Sequence, residues 1–322
     1  MSTAAAVMPA LENSIFETVG CYSCGSTSSR EFIVAEDDLT GKPGSFRFVT
    51  CQDCGLVYQN PRIRMGHIES YYDNEYIAHR KKTDWGWLTR FYNRVMDKHD
   101  VDKDRIVRRY VQLGPESAIL DVGCAVGTFL QKMRKLYGAR VSGVDFKDLS
   151  YSPSLEGVDF HCGLFYEQVL SVDQFDLVTM WHFLEHDYDP SQTLATAKRV
   201  LKPEGRLVIE VPRLDSLTFR LYRERWPGLQ APQHTVLFEK KTLLRLVEQS
   251  GLEVVDYLPY GAFPPYFYIF AGAAFKILKG RGLNLSKAIV PYFLGQVLML
   301  PVLMAERQLN LAMQTVICRR KR

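Results

Sequence analysis

The amino-acid sequence predicts an α/β fold built on a doubly wound parallel sheet. From residue 117 onward, short apolar strands alternate with helices, which is typical of strands joined by crossover helices. The runs ILDVG and LVIEV are almost entirely apolar, which indicates strands that are covered on both faces of the sheet. With 322 residues, 47% of them hydrophobic, the chain can bury a large core and form about two domains.

The elements of this core are predicted in order. Strands are expected at 118–123, 140–146, 158–162, 175–181, 205–212 and 251–258, with helices at 126–138, 191–201 and 240–251. Segment 262–309 interrupts the alternation because it holds two long apolar stretches, and a last strand, predicted to lie at the sheet edge, follows at 314–321. We therefore expect 262–309 to be a hydrophobic helical insertion before the last strand.

Four of the seven cysteines form two C-x-x-C pairs, Cys21 with Cys24 and Cys51 with Cys54. The N-terminus has no basic, apolar secretory signal, so we expect a cytoplasmic protein with reduced thiols rather than disulfides. Two such pairs, each followed by a glycine, suit a tetrahedral Zn²⁺ site that closes a small ribbon. All four ligands are thiolates, so the predicted site is structural.

The chain is expected to have three parts: a zinc ribbon at 1–60, a helical aromatic linker at 61–112, and the core at 113–322. The net charge is +4, and the lysines and arginines are spread along the chain rather than clustered, apart from the last four residues. We therefore expect no nucleic-acid partner.

The stretch ILDVGCAVGTFL, residues 119–130, is predicted to be a strand, a glycine turn and a helix. Such a turn brings backbone N–H groups and a helix N-terminus close to a ligand. Asp145 follows about 20 residues after the turn, where a carboxylate can bind a ribose diol. Both a dinucleotide and S-adenosylmethionine fit this pattern.

Four separated motifs distinguish these ligands. ILDVGCAVGTFL, VSGVDF, FDLVTMWHFLEHDYDP and RVLKPEGRLVIEVP resemble, in order and spacing, the class I S-adenosylmethionine-dependent methyltransferases, which have a Rossmann-like sheet. The resemblance covers roughly 113–260 and implies cofactor contacts from two groups of residues. Asp121, Gly123, Cys124, Gly127 and Asp145 would hold the methionyl part and the ribose, and Phe160, His182 and Tyr76 would surround the rest. The family's usual central glycine is Ala125 here, which is tolerable if its φ is negative.

The catalytic candidates are His186 and Glu185, which follow the fourth strand, and His234, in the loop RWPGLQAPQHTVLF. A ribbon, a methyltransferase core and this loop histidine together are similar to the sugar-nucleotide C-methyltransferases. That similarity implies that His234 is the base that deprotonates the acceptor, although Gln233 stands where those enzymes have a glutamate.

A metal site is the alternative for the same residues. His182, Glu185, His186 and His234 resemble the Glu and His ligands around Mg²⁺ in small-RNA 2′-O-methyltransferases, with His182 in place of a glutamate. This alternative implies a metal-assisted O-methyltransferase. A third possibility is a non-catalytic scaffold or cofactor sensor.

Segment 262–309 admits several roles. Its prolines, its length and its basic loop argue against a transmembrane hairpin. It is expected either to lie in a membrane interface, to cover the active site as a lid, to form a homodimer contact, or to pack as ordinary core. A membrane-bound enzyme, peripheral at the inner face, would suit a lipid-like acceptor, and a nucleotide-linked sugar is the other acceptor class that we expect.

Overall fold

The computed structural model describes residues 15–72, 87–279, 281–283 and 285–321, except for the side chains of 87–96 and 285–290. The described strands are β1 (Phe16–Glu17), β2 (Ser29–Ala35), β3 (Phe46–Cys51), β4 (Val57–Gln59), β5 (Arg62–Ile63), β6 (Ala118–Val122), β7 (Arg140–Asp145), β8 (Asp159–Cys162), β9 (Phe175–Trp181), β10 (Leu201–Pro212), β11 (Val236–Leu237), β12 (Leu252–Leu258) and β13 (Met313–Arg320).

The α-helices form a second set. They are α1 (Met65–Ile68), α2 (Trp87–Val107), α3 (Thr128–Tyr137), α4 (Pro190–Val200), α5 (Leu217–Tyr222), α6 (Lys240–Gln249), α7 (Tyr266–Leu278), α8 (Leu285–Leu298), α9 (Leu300–Met304) and α10 (Glu306–Leu309). Short 3-10 turns lie at Glu69–Tyr71, Pro153–Leu155, Phe165–Glu167, Leu184–His186 and Arg223–Arg225. Tyr76 lies outside the described residues.

Seven strands form the central sheet in the order β12-β13-β10-β9-β6-β7-β8, which confirms the predicted α/β fold. The pairs among β6 to β10 are parallel, and α3 and α4 each connect two of these strands. Parallel strands end at the same edge of a sheet, so the loops after β6, β7, β9 and β10 meet there.

The prediction that the last strand lies at the sheet edge is wrong. β13 runs antiparallel between β10 and β12 and hydrogen-bonds to both. Val316, Ile317 and Cys318 are completely buried. An apolar strand of this kind is stable where both of its faces and both of its edges are covered. The position between β10 and β12 covers both edges and both faces of β13.

The N-terminal strands form a second sheet in the order β11-β4-β3-β2. β11 belongs in sequence to the core, and its Val236 pairs with Tyr58 of β4. The amide of Gln59 also donates to the carbonyl of Thr235 at 2.8 Å. The segment that carries His234 is therefore tied by backbone hydrogen bonds to the cysteine-bearing sheet.

Four helices, α7 to α10, fill the chain between β12 and β13. The segment is fixed at its start by Glu210 of β10, whose buried carboxylate accepts hydrogen bonds from Ala262 N at 2.6 Å and Phe263 N at 3.1 Å. Among the helices that the structure describes, none combines the length and the apolar character required to cross a bilayer.

Candidate active site at the carboxyl edge of the sheet

The glycine turn connects β6 to α3 as the sequence predicts. Gly123 and Gly127 have φ values of 75° and 81°, which side chains disfavour. Neither glycine leaves room for a Cβ atom, because one would lie 2.6 Å from Phe183 at Gly123 and 2.3 Å from Leu155 at Gly127. Both glycines are thus required by conformation and by close packing.

Three amides of this loop are engaged inside the protein. Gly123 and Cys124 donate to the carbonyl of Val144 at 2.8 and 3.1 Å. Ala125 donates to Oδ2 of Asp145 at 2.9 Å. A loop that binds a pyrophosphate offers free N–H groups to several phosphate oxygens. These amides hold the turn against the end of β7, beside Asp145.

Ala125 does not have the negative φ that we expected; its φ is 48°. The cause lies in the loop itself, because the amide of Ala125 must point at Asp145 and the turn closes with a 2.9 Å hydrogen bond from Gly127 N to Cys124 O. A left-handed conformation costs a residue with a Cβ about 1 kcal/mol.

Two buried carboxyls flank the loop. The carboxyl group of Asp121 lies close to Thr179, whose hydroxyl donates to Asp121 Oδ1 at 2.6 Å. Burial raises the pKa of Asp121 to about 7. Asp145 lies at the end of β7, 4% exposed, and burial raises its pKa to about 6 although the amides of Lys147 and Ala125 oppose this shift. Buried carboxyls at a strand edge suit polar hydroxyl or ammonium partners.

Two predicted cofactor residues occupy less direct positions. The Sγ atom of Cys124 points into the core, since a Cβ built on Gly143 would lie 2.7 Å from it. Phe160 pairs with Gly143 and is half-buried against an apolar cluster, whereas Cys162, two residues later, lies level with Asp145. Cys124 thus contributes to the loop through its backbone amide rather than its side chain. Phe160 lies two residues before the end of the sheet that Asp145 and Cys162 mark.

Glu185, His186 and His234 lie together, as the catalytic prediction requires. One ligand atom from each lies within 4.8 Å of the others, and the two imidazole centroids are 4.4 Å apart. The 3-10 turn Leu184–His186 presents the first two, and the Thr235 amide bonds to the Glu185 carbonyl at 2.8 Å, which positions the third.

The protonation of the two histidines follows from their partners. Nδ1 of His234 lies 2.8 Å from the Gly228 carbonyl, and Nδ1 of His186 lies 3.1 Å from the Gln233 carbonyl. A carbonyl only accepts, so Nδ1 of His234 carries the proton and its Nε2 keeps a lone pair, whereas Nδ1 of His186 also lies 2.9 Å from the Tyr72 hydroxyl, which can donate to it. Burial lowers the pKa of both rings to about 3, so both are neutral at pH 7.

Glu185 is the least satisfied group of this cluster. Its side chain is 1% exposed, and neither carboxylate oxygen accepts a hydrogen bond within the part of the chain that the structure describes. Among the described residues, Nδ1 of His182 lies 3.7 Å from Glu185 Oε1, which is too long for a hydrogen bond but within the range of an ion pair. A buried, unsatisfied carboxylate is costly unless it receives a proton, a ligand or a cation.

His182 lies against Glu210 and the start of the α7–α10 segment. Its Nε2 lies 3.1 Å from Glu210 Oε1, and its ring packs on Phe263 with centroids 4.8 Å apart. Burial acts to lower its pKa, but Glu185 and Glu210 outweigh this effect and raise the pKa of His182 to about 9. The residue after it, Phe183, is the one that contacts the cofactor loop at Gly123.

Glu210 and Phe183 are two site residues that were not predicted from the sequence. Glu210 is completely buried and joins His182 to the start of the α7–α10 segment. Its signal was present, because an acid inside the apolar strand LVIEV must find a buried partner. Phe183 gave no comparable signal, since its contact depends on the path of the chain after β9.

The four cysteines of the ribbon converge. Sγ of Cys21 lies 3.4 Å from that of Cys54, and Sγ of Cys24 lies 3.6 Å from that of Cys51. Disulfide sulfurs lie about 2.05 Å apart, whereas Zn–S bonds of about 2.3 Å in a tetrahedron place the sulfurs about 3.8 Å apart. The donor set thus fits Zn²⁺, and the backbone amides of Cys54 and Asp53 lower the pKa of Cys51 to about 7 against the effect of burial.

Residues 92–257, more than half of the chain, match the methyltransferase domain family. The chain belongs to this family.

Among curated proteins, the chain is 32% identical over 152 residues to a ubiquinone biosynthesis O-methyltransferase from Aeromonas salmonicida, a match that covers 43% of this chain and 63% of that protein. It is 35% identical over 112 residues to an uncharacterized 37.1 kDa protein in a Streptomyces fradiae transposon, covering 32% of each. The chain thus spans less than two thirds of these relatives.

A solved structure shares the fold. It is the geranyl diphosphate C-methyltransferase from Streptomyces coelicolor A3(2), in complex with Mg²⁺, geranyl diphosphate and S-adenosyl-L-homocysteine. Its TM-score is 0.52 at 12% identity, over 79% of this chain and 97% of that chain.

Proposed function

We propose that this protein transfers a methyl group from S-adenosylmethionine to a small-molecule acceptor, either lipid-like or a nucleotide-linked sugar. The match to the methyltransferase domain family supports both the activity and S-adenosylmethionine as the donor. In this proposal, Asp121, Gly123 and Gly127 shape the methionyl site and Asp145 binds the ribose. When bound, S-adenosylmethionine supplies an electrophilic methyl group on a sulfonium.

The observation that carries the proposal is the buried, neutral imidazole of His234, which lies in one cluster with Glu185 and His186. His234 accepts the proton of the acceptor as the new bond to the methyl carbon forms and the bond to sulfur breaks. The positive charge that the bound donor supplies would then rest on the imidazolium of His234. Glu185 stabilises that imidazolium, which offsets the low pKa of the buried ring.

A metal-assisted O-methyl transfer is the second candidate, and the unsatisfied carboxylate of Glu185 favours it. Glu185, His186 and His234 would be the ligands, and Nδ1 of His234 is held by a carbonyl, as is usual for metal-bound histidine. One carboxylate and two imidazoles suit Zn²⁺, Mn²⁺ or Fe²⁺ better than Mg²⁺. His182, the fourth ligand that the sequence suggested, is bonded to Glu210 instead.

His234→Ala tests the proposal, with His161→Ala on β8 as the matched control. Turnover of a labelled donor with fractionated extract should fall by about 10²-fold or more for His234→Ala and stay unchanged for the control. Donor binding by calorimetry should be equal in both variants. Normal turnover of His234→Ala contradicts the role of His234, and absence of donor binding by the wild type favours the scaffold alternative.

A chelator separates the two candidates. If His234 acts as a base, any turnover lost after treatment with EDTA is lost through the ribbon, so Zn²⁺ restores it and Mn²⁺ does not. If Glu185, His186 and His234 hold a metal, turnover is lost and Mn²⁺ restores it, and Glu185→Gln no longer responds to Mn²⁺.

We also propose that Cys21, Cys24, Cys51 and Cys54 hold Zn²⁺ as a structural site, and that the protein acts in the cytoplasm. The Sγ distances and the absence of an open ligand position support a structural role.

A further inference from the structure

The helices between β12 and β13 expose an apolar face. On α8, Leu294, Val297 and Leu298 are 64%, 71% and 81% exposed, and on α9, Leu300 and Met304 are 54% and 77% exposed. Residues three or four positions apart share one side of a helix, so these side chains form two adjoining stripes. Single exposed apolar residues are common, but a series of five is typical of a surface that contacts an apolar partner.

The other side of α8 is already used. A Cβ atom built on Gly295 would lie 1.7 Å from the hydroxyl of Tyr266 on α7, and the rings of Tyr292 and Tyr266 are 5.1 Å apart. These contacts fix which side of α8 faces the protein. The α8–α9 face, defined as Leu294, Val297, Leu298, Leu300 and Met304, is therefore the side left for another partner.

The segment that carries this face is basic. Segment 262–309 contains five cations and one acid: Lys276, Lys279, Arg281, Lys287 and Arg307 against Glu306. The side chains of Lys276, Lys279, Arg281 and Arg307 are exposed. Burial raises the pKa of Glu306 to about 8, so this acid is largely uncharged at pH 7 and does not oppose an anionic partner.

We propose that the α8–α9 face docks on the surface of an anionic phospholipid membrane. The apolar side chains would enter the boundary between headgroups and acyl chains, and the surrounding lysines and arginines would contact the anionic headgroups. A second copy of the chain is a poorer partner, because it would place two sets of like charges face to face. None of the described helices can span a bilayer, so the contact is peripheral.

The docking proposal goes beyond the proposed methyl transfer and does not depend on it. It does bear on the acceptor, since Phe263 at the start of the same segment contacts His182 beside the histidine cluster. A membrane under α8 and α9 would bring a lipid-like acceptor to the segment that begins at the candidate active site.

Flotation with lipid vesicles tests the proposal. The wild-type protein should float with vesicles of phosphatidylcholine and phosphatidylglycerol in equal amounts, and much less with phosphatidylcholine alone. Val297→Glu with Leu298→Glu should reduce the bound fraction about tenfold or more. The matched control is Val169→Glu with Val172→Glu, at positions 100% and 61% exposed before β9, and it should float like the wild type.

Three further measurements make the result decisive. Lys279→Glu with Arg281→Glu should weaken flotation with the anionic vesicles, and unchanged flotation would remove the electrostatic part of the proposal. Equal flotation of wild type and Val297→Glu with Leu298→Glu overturns it. A wild-type dimer on size exclusion that the same variant converts to a monomer, with no flotation, assigns the face to a second copy instead. Calorimetry with S-adenosylmethionine verifies that each variant is folded, independently of turnover.

Discussion

Ala125 is strained at the point where the cofactor loop turns. Its φ of 48° costs an alanine about 1 kcal/mol, and glycine adopts this conformation freely. Because glycine also loses more entropy on folding, we expect Ala125→Gly to raise the free energy of unfolding by about 0.5 kcal/mol. Urea denaturation measures this change. Ala195→Gly, at an exposed position within α4, is the control and should lower the free energy of unfolding by about 1 kcal/mol. A loss of stability in both variants would show that Ala125 is not strained.

Residue identities in the candidate site could be predicted where a chemical role requires one residue type. Gly123, Gly127 and Asp145 were predicted because a tight turn needs glycine and a ribose needs a carboxylate. The direction of His182 could not be predicted, because it depends on Glu210, which lies 28 positions later. The roles of these residues stay predictions until the variants are measured.

The cysteine ribbon is an element that supports the candidate site as well as itself. Cys51 ends β3, and the next strand, β4, holds Val236 and the Thr235 carbonyl beside His234. Cys51→Ser should therefore lose zinc and lower the free energy of unfolding by about 4 kcal/mol. Turnover should fall more than donor affinity does, because the His234 loop is displaced while the glycine turn is not.

Metal analysis, thermal unfolding and donor calorimetry of the purified variants test this expectation. Cys162→Ser, at an exposed cysteine remote from the cluster, should retain the zinc content and the stability of the wild type. A Cys51→Ser protein with normal zinc would rule out the four-thiolate site.

At the level of elements, the alternation of strands and helices was sufficient to predict the central sheet. Each predicted strand from 118 to 258 overlaps an observed one, and 175–181 agrees at both ends. The position of β13 could not be predicted, since a buried apolar strand has the same composition in any interior position. The pairing of β11 with β4 was also hidden, because a two-residue strand leaves no periodic pattern.

For the whole molecule, the buried acid of the α7–α10 segment predicts how stability depends on pH. Burial, followed by the nearby charge of Glu210, raises the pKa of Glu306 from 4.5 to about 8. Between these two values the unfolded chain releases a proton that the folded protein keeps, so Glu306 makes stability fall as the pH rises from about 4.5 to about 8. Glu306→Gln should remove this contribution. Its free energy of unfolding should therefore rise by about 3 kcal/mol relative to that of the wild type between pH 5 and pH 8.

Denaturant unfolding at a series of pH values measures the difference between the two proteins, which cancels the titration of the other groups. Glu248→Gln, at an exposed position on α6, is the control and should give a difference that does not vary with pH. Because Glu306 is the single acid in 262–309, its ionisation also sets the charge that this segment presents to a membrane. Flotation of the wild type with anionic vesicles should therefore weaken above pH 8 more than flotation of Glu306→Gln, and equal weakening would separate this acid from membrane docking.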